Sequence, residues 1–238
     1  MLKKFLNNLI NIIYPTKCLV CKKSISSSSA KKYICDLCWD NIKKNTPPFC
    51  KYCCRHIENE TYAVCKECRN KTFYFEQAFS ACIYEGAIKE LIHQFKYDDK
   101  DYLGKNLAEL LIEFINTYRI PLKGFDFVIP IPLHPVKFRQ REYNPALILA
   151  QHISQVFNLK VLNNVLHKIR NTVSQTKLDT QSRWKNVSNS FRVTSQIIKD
   201  KSIILVDDIL TTGATASEAA RVLKLAGAKN ITVLVLAS

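Results

Sequence analysis

The run from Ile203 to Thr215, IILVDDILTTGAT, constrains the fold more than any other stretch. Its four apolar residues, Ile203 to Val206, read as a strand buried on both faces of a parallel sheet. Two carboxylates, Asp207 and Asp208, follow at the strand's carboxyl end. A short loop of hydroxyl-bearing and small residues, Thr211 to Thr215, comes next. A helix is predicted from Ala214 to Ala226, because Ala216, Ala219, Ala220, Leu223 and Ala226 recur at steps of three and four and Gly227 suits the C-cap. The loop N–H groups and the helix N-terminus form a cradle for an anion, with phosphate the obvious guest. Beside it, two carboxylates can accept hydrogen bonds from a vicinal diol. Cradle and diol clamp together describe a ribose 5-phosphate site.

The 238 residues suffice for one sizeable α/β domain and a small module. The module is marked by cysteine. Eight of the ten cysteines form four Cys-x-x-Cys pairs: Cys18/Cys21, Cys35/Cys38, Cys50/Cys53 and Cys65/Cys68. Two-residue spacing lets both sulfurs of a pair reach one tetrahedral ion, and two such knuckles complete an all-thiolate site. Four knuckles imply two structural zincs. A disulfide framework fits poorly with strict pairing and no secretion signal, and a redox motif rarely recurs four times in a row. Sequential pairing gives two small ribbons; crossed pairing stays open. Cys54 is an alternative ligand to Cys53, and Cys82 reads as a small buried residue of a later strand. Ser24 to Ser29 reads as a flexible tip between the first two knuckles.

The chain splits on this basis into an amphipathic N-terminal helix (1–15), a double zinc-ribbon region (16–72) and an α/β domain (73–238). The first segment carries Leu2, Phe5, Leu6, Leu9, Ile10 and Ile13 as a stripe, without the continuous apolar stretch of a signal peptide. It packs on the protein's own core or docks on a membrane surface or partner. No apolar run approaches the roughly 18 residues of a spanning helix, so the expected location is cytoplasmic, peripheral to a membrane if the helix docks there. The net charge of +15 favours acidic partners: nucleic acid, anionic lipid or phosphorylated ligands.

Between the ribbons and the diol clamp, Phe73 to Tyr84 reads as one or two strands. Tyr84 to Tyr97 reads as a helix with Ile88, Leu91, Ile92 and Phe95 inward and His93 at the surface. Leu103 to Tyr118 is a second helix. Phe125 to Pro132 is a buried strand entering a proline-stiffened loop, which belongs on the ligand side of such a sheet. Its cations Lys137, Arg139 and Arg141 can meet pyrophosphate. Tyr143 to Phe157 is a helix, and Lys160 to Lys168 a strand-like segment. Residues 170–192 read as a long polar loop with anchors Leu178, Trp184 and Val187, and loops of that length are uncommon unless functional. From Lys137 to Arg192 ten Lys/Arg stand against two acids, which concentrates the charge excess beside the ligand-side loops.

The Ile203–Thr215 run resembles the phosphoribosyl-pyrophosphate (PRPP) signature of type I phosphoribosyltransferases. The resemblance implies that Asp207 and Asp208 hold the ribose hydroxyls, that Thr211, Thr212, Gly213, Ala214 and Thr215 wrap the 5-phosphate, and that the fold is a parallel sheet flanked by helices. The whole chain beyond residue 15 is similar to the ComF-like proteins of bacterial natural competence, GntX-type proteins included. That likeness is carried by the four knuckles, Tyr84 and Gly86, Phe95-Lys96-Tyr97, Pro130-Ile131-Pro132-Leu133-His134, Arg139, Arg141 and Asn144, Arg170-Asn171-Thr172 with Gln175, Arg183 with Asn186, the PRPP loop and Gly227-Ala228. One departure stands out: Arg141-Glu142-Tyr143-Asn144-Pro145 replaces the family's Arg-Gly-Phe-Asn-Gln, putting a carboxylate near the pyrophosphate loop.

The resemblance implies handling of single-stranded DNA after its entry, near a competence helicase and the inner-membrane channel. Lys137, Arg139, Arg141, Arg170, Gln175 and Arg183 would face pyrophosphate or DNA, with Trp184 or Tyr143 for base stacking. The alternatives are an active phosphoribosyltransferase, with Mg²⁺ bridging pyrophosphate and ribose oxygens, and an adaptor that senses PRPP without turnover. No base-recognition hood is identifiable, since residues 1–80 are taken up by knuckles.

Overall fold

The computed structural model describes residues 16–25, 31–57, 63–172 and 180–238. The amphipathic stretch 1–15, most of the serine tip and Gln175 lie outside them. Seven strands are present among the described residues: β1 (Gln77–Cys82), β2 (Phe127–Pro130), β3 (Lys160–Val161), β4 (Leu166–Lys168), β5 (Phe191–Val193), β6 (Ser202–Ile209) and β7 (Asn230–Ala237). Five form one sheet in the order β1-β7-β6-β2-β3 with every pair parallel. β4 and β5 pair antiparallel as a separate ribbon.

β6 is central because its side chains are apolar in both directions. Ile204 and Val206 enter one core with helices α3 (Gly86–Tyr97), α4 (Leu103–Thr117) and α6 (Pro145–Phe157). Ile203 and Leu205 enter the other with helix α8 (Ala214–Leu225). All four are fully buried, and a buried aliphatic side chain stabilises the fold by about 1.5–3 kcal/mol. A strand that alternated polar and apolar residues could not hold this place. β7 has no counterpart among the predicted elements, although Ile231, Val233 and Val235 with Leu234 and Leu236 cover both faces as β6 does.

Three other predicted segments differ. Lys160–Lys168 is not one strand: the exposed Asn163 and Asn164 break it into β3 and β4. The loop after β2 contains helix α5 (Pro135–Arg141); His134 caps it by accepting from Val136 N–H, and Pro135 supplies a preset φ at its first turn. The long polar loop contains helix α7 (Thr180–Val187), pinned by buried Val187 and by Trp184, whose ring lies 5.7 Å from Phe73.

The cysteine-rich segment lies along the free edge of β1. Asn45 N–H donates to Ala81, Ile83 N–H to Lys43 and Ala78 N–H to Lys51. This caps a sheet edge that would otherwise offer unpaired backbone groups.

Candidate functional site

β2 leads outward to β3 while β6 leads the other way to β7. The two crossovers diverge, which opens a crevice between the carboxyl ends of β2 and β6, the place where open parallel sheets hold ligands. A cleft of about 220 Å³ occupies that crevice. Ile131 and Pro132 line it from β2; Asp207, Asp208, Thr211 and Thr215 line it from β6. Lys96, Lys137, Arg141, Lys168 and Arg183 reach it from four further elements. Five cations around two carboxylates leave a strong positive excess, which suits a ligand bearing several negative charges.

The two aspartates are not equivalent. Asp208 is 6% exposed and pairs with Lys96 Nζ at 2.7 Å. Asp207 accepts from Asp208 N–H at 2.9 Å and forms no ion pair of its own among the described residues, Lys96 being paired with Asp208. Burial, reinforced by the neighbouring Asp208 carboxylate, raises its pKa to about 7. The opposing charges of Asp208 and Asp207 hold Lys96 above its ordinary value despite its burial. Lys96 was named in sequence only as part of a helix end. The signal that pointed to it is electrostatic: two adjacent carboxylates on a buried strand need a counter-charge nearby.

After β6 the chain turns through Gly213, which starts α8 with φ +77°. An added Cβ there would lie 2.8 Å from the Phe73 ring, so both backbone and space call for glycine. Thr212 Oγ1 accepts from Ala214 N–H at 3.4 Å. Asp207, Thr211, Gly213, Ala214 and Thr215 surround a small polar recess opening at the helix N-terminus.

The predicted cations divide. Lys137, Arg141 and Arg183 line the cleft. Lys137 Nζ donates to Thr172 O at 2.9 Å, and burial together with Arg141 and Lys96 lowers its pKa. Arg141 lies 4.8 Å over the Tyr97 ring. Lys168, unflagged in sequence, is pushed down to about 8 by burial and by Lys137. Arg139 is exposed on α5 and outside the cleft lining, and Arg170 is exposed and donates to Ser188 O at 2.6 Å. Neither candidate stacking ring stands clear: the Tyr143 hydroxyl donates to Phe95 O, and Trp184 packs on Phe73.

Glu142 is exposed and absent from the cleft lining. It is the C-cap of α5 with φ +63°, its N–H bonded to Phe138 O. A left-handed cap explains why glycine is the usual residue there. Glu142→Gly is expected to raise stability by about 0.5–1 kcal/mol, read as a higher urea midpoint; a lower midpoint would show that the cap is unstrained. Behind it, buried Asn144 donates to Ile131 O at 3.0 Å and accepts from Ala146 N–H, tying the cleft's β2 wall to the start of α6.

The eight paired cysteines gather as two groups, Cys18/Cys21/Cys35/Cys38 and Cys50/Cys53/Cys65/Cys68, with all sulfurs of a group within 4.8 Å of one another. Pairing is thus sequential. Sγ atoms of Cys21 and Cys35, and of Cys53 and Cys65, are 3.7 Å apart. Tetrahedral thiolates at about 2.3 Å from zinc sit about 3.8 Å apart, so both groups fit that ion. The two ribbons repeat one design. Cys35 N–H donates to Cys18 Sγ at 3.4 Å and Cys65 N–H to Cys50 Sγ at 3.3 Å. Lys22 and Cys54 both turn the knuckle with φ +63°. Short helices α1 (Asp36–Asp40) and α2 (Lys66–Arg69) start at Cys35 and Cys65. Cys54 is no ligand: it is fully buried among Phe75, Ala78 and Ile129, and burial holds its thiol well above the ordinary range.

Comparison with known proteins matches both modules. The double zinc ribbon domain matches residues 9–69, and the phosphoribosyl transferase domain matches residues 144–238. Among curated proteins, Competence protein F of Haemophilus influenzae is 28% identical over 91% of this chain and 94% of its own length. DNA utilization protein YhgH of Escherichia coli K12 is 25% identical over 84% and 88%. Competence protein ComFC of Bacillus subtilis is 26% identical over 89% and 90%. With a double zinc ribbon followed by a phosphoribosyltransferase-type domain, and relatives aligned along nearly their full lengths, the chain is similar to the ComF-like family from ribbon to sheet.

Proposed function

We propose that this protein binds PRPP or a related phosphoribosyl ligand in the β2–β6 crevice and serves DNA uptake, handling single-stranded DNA in the cytoplasm. The observation that carries the ligand reading is the juxtaposition in one cleft of the acidic pair Asp207/Asp208, the Thr211–Thr215 recess and five cations. Asp207 and Asp208 would accept from the ribose diol, and the recess would take the 5-phosphate through backbone N–H groups. Lys137, Arg141, Lys168 and Arg183 would face the pyrophosphate. Mg²⁺ would neutralise pyrophosphate oxygens there and complete its shell with water and carboxylate. The nucleic-acid part rests on the competence and DNA-utilization names of the relatives and on exposed Arg139, Arg170, Lys185 and Arg192 outside the cleft.

Titration calorimetry with PRPP and Mg²⁺ tests the first part, and no heat of binding would end it. For the second, log K for single-stranded DNA is expected to fall with log salt at roughly −0.7 per phosphate neutralised. Arg139→Ala with Arg170→Ala is expected to flatten that slope while leaving PRPP affinity as in the wild type. An unchanged slope would place the DNA surface elsewhere.

A second reading, transfer of the ribosyl group to an acceptor, is favoured by the β4–β5 ribbon and α7. This segment contributes Lys168 and Arg183 to the cleft wall. Pyrophosphate release from PRPP across a panel of bases distinguishes turnover from binding alone.

A further inference from the structure

The second ribbon touches the phosphate recess through aromatic rings. Tyr52 stands between the ligands Cys50 and Cys53. Its ring stacks on Phe73 at 4.7 Å and 16°. Phe73 in turn lies directly behind Gly213, close enough that a single added carbon would collide with it. Phe73 also meets Trp184 of α7 edge-on at 5.7 Å, and Phe75 lies 5.3 Å from it. The backbone joins the same parts: Ala78 N–H donates to Lys51 O in the knuckle, and Tyr74 N–H donates to Ser217 Oγ in the second turn of α8.

We propose that Phe73, held by Tyr52 of the second zinc knuckle, is the positioning residue of the phosphate loop, so that an intact second zinc site sets the protein's affinity for a phosphoribosyl ligand. The proposal rests on the reading of the Thr211–Thr215 loop as a phosphate cradle. A cradle of backbone N–H groups binds only while its φ/ψ angles hold, and Gly213 is the residue with the greatest freedom to drift. A ring packed against it removes that freedom. The ring is itself placed by a knuckle whose shape depends on metal. The described buried residues of the first ribbon pack with α3 and α4 instead.

The test uses the full chain carrying Trp39→Phe, which leaves Trp184 as its one tryptophan. Tyr52→Ala keeps all eight metal ligands, and Tyr52→Phe keeps the stack. Tyr52→Ala and Phe73→Ala are each expected to retain both zincs, to shift Trp184 emission, and to weaken PRPP binding by roughly tenfold, the usual scale for a lost supporting contact. Tyr52→Phe is expected to restore both readouts. Cys65→Ser is expected to shift Trp184 emission in the same direction. If PRPP binds the wild type and Tyr52→Ala and Phe73→Ala bind it equally well, the positioning role is overturned whatever the emission does. Unshifted emission in all three disrupting variants overturns the relay by itself. Should the wild type bind no PRPP, the cradle reading falls and the proposal falls with it.

Discussion

Cys50→Ser is expected to empty the second metal site and unfold residues 50–69 while the α/β domain stays folded. The physical reason lies in what that ribbon buries. Apart from Cys54, which is buried with Phe75, Ala78 and Ile129 in the domain core, its buried residues among those described are Cys50, Cys53 and Cys68, all ligands, with half-buried Tyr52, Ile57, Val64 and Phe73 beside them. The metal is therefore the core. Structural zinc in small ribbons contributes about 10–16 kcal/mol of coupled binding and folding free energy, far more than a cluster of that size supplies by burial. A site of three thiolates is weak and open. Metal analysis is expected to give two zincs per wild-type chain and one in the variant. Limited proteolysis should then cut within 50–69 alone. Cys18→Ser should also lose one zinc, yet its ribbon should stay docked, because Ile34 and Ile42 are buried in the main core and Lys31 and Lys44 pair with Glu109 and Glu113 of α4. No zinc in reduced wild-type protein would remove the basis for both expectations.

The sequence was legible where one residue pattern serves one physical purpose. Cysteine spacing announced both metal sites, and the doubly apolar β6 with its acidic end announced the sheet and the ligand edge. What was hidden was produced by tertiary context. Lys96 is separated from Asp208 by more than a hundred residues, and only the shared core that α3 and β6 enter brings their charges within 2.7 Å. Arg139 and Arg141 share a helix and a charge, but that helix turns Arg141 toward Tyr97 and Arg139 to solvent. Helix α5 was masked by the prolines around it, and α7 by its lack of an apolar period. Phe73 read as a strand residue; nothing local shows that it would lie against Gly213.

Lys96→Met and Asp207→Asn are expected to move stability in opposite directions. Lys96 and Asp208 are both largely removed from solvent, with side-chain exposures of 17% and 9%. Methionine in place of Lys96 leaves Asp208 without its buried partner and Asp207 with the weaker pull of Lys168, and removing one partner of a buried pair costs about 3–5 kcal/mol. Asp207→Asn does the reverse: it removes like-charge repulsion and leaves Lys96 and Asp208 as a matched pair. The effect depends on pH, with a definite sign. Asp207 titrates near 7 in the folded chain, above the unfolded carboxylate value of 3.8. Between those values the folded state holds the extra proton, so stability falls as pH rises from about 4 to 7 and levels off beyond. Part exposure of Asp207 discounts the full shift to about 1–3 kcal/mol. Urea denaturation at intervals from pH 5 to 8 should show that decline in the wild type, a smaller one in Asp207→Asn and a steeper one in Lys96→Met. Contributions from His152 and from the metal ligands are common to all three and cancel in the differences. Asp207→Asn should at the same time bind PRPP more weakly than the wild type, since a neutral acceptor replaces a charged one. More stable and less able to bind is the pattern of a residue kept for its ligand. Equal pH slopes in the wild type and Asp207→Asn would show that Asp207 is ionised throughout, and the raised pKa assigned to it from burial and the Asp208 charge would have to be abandoned.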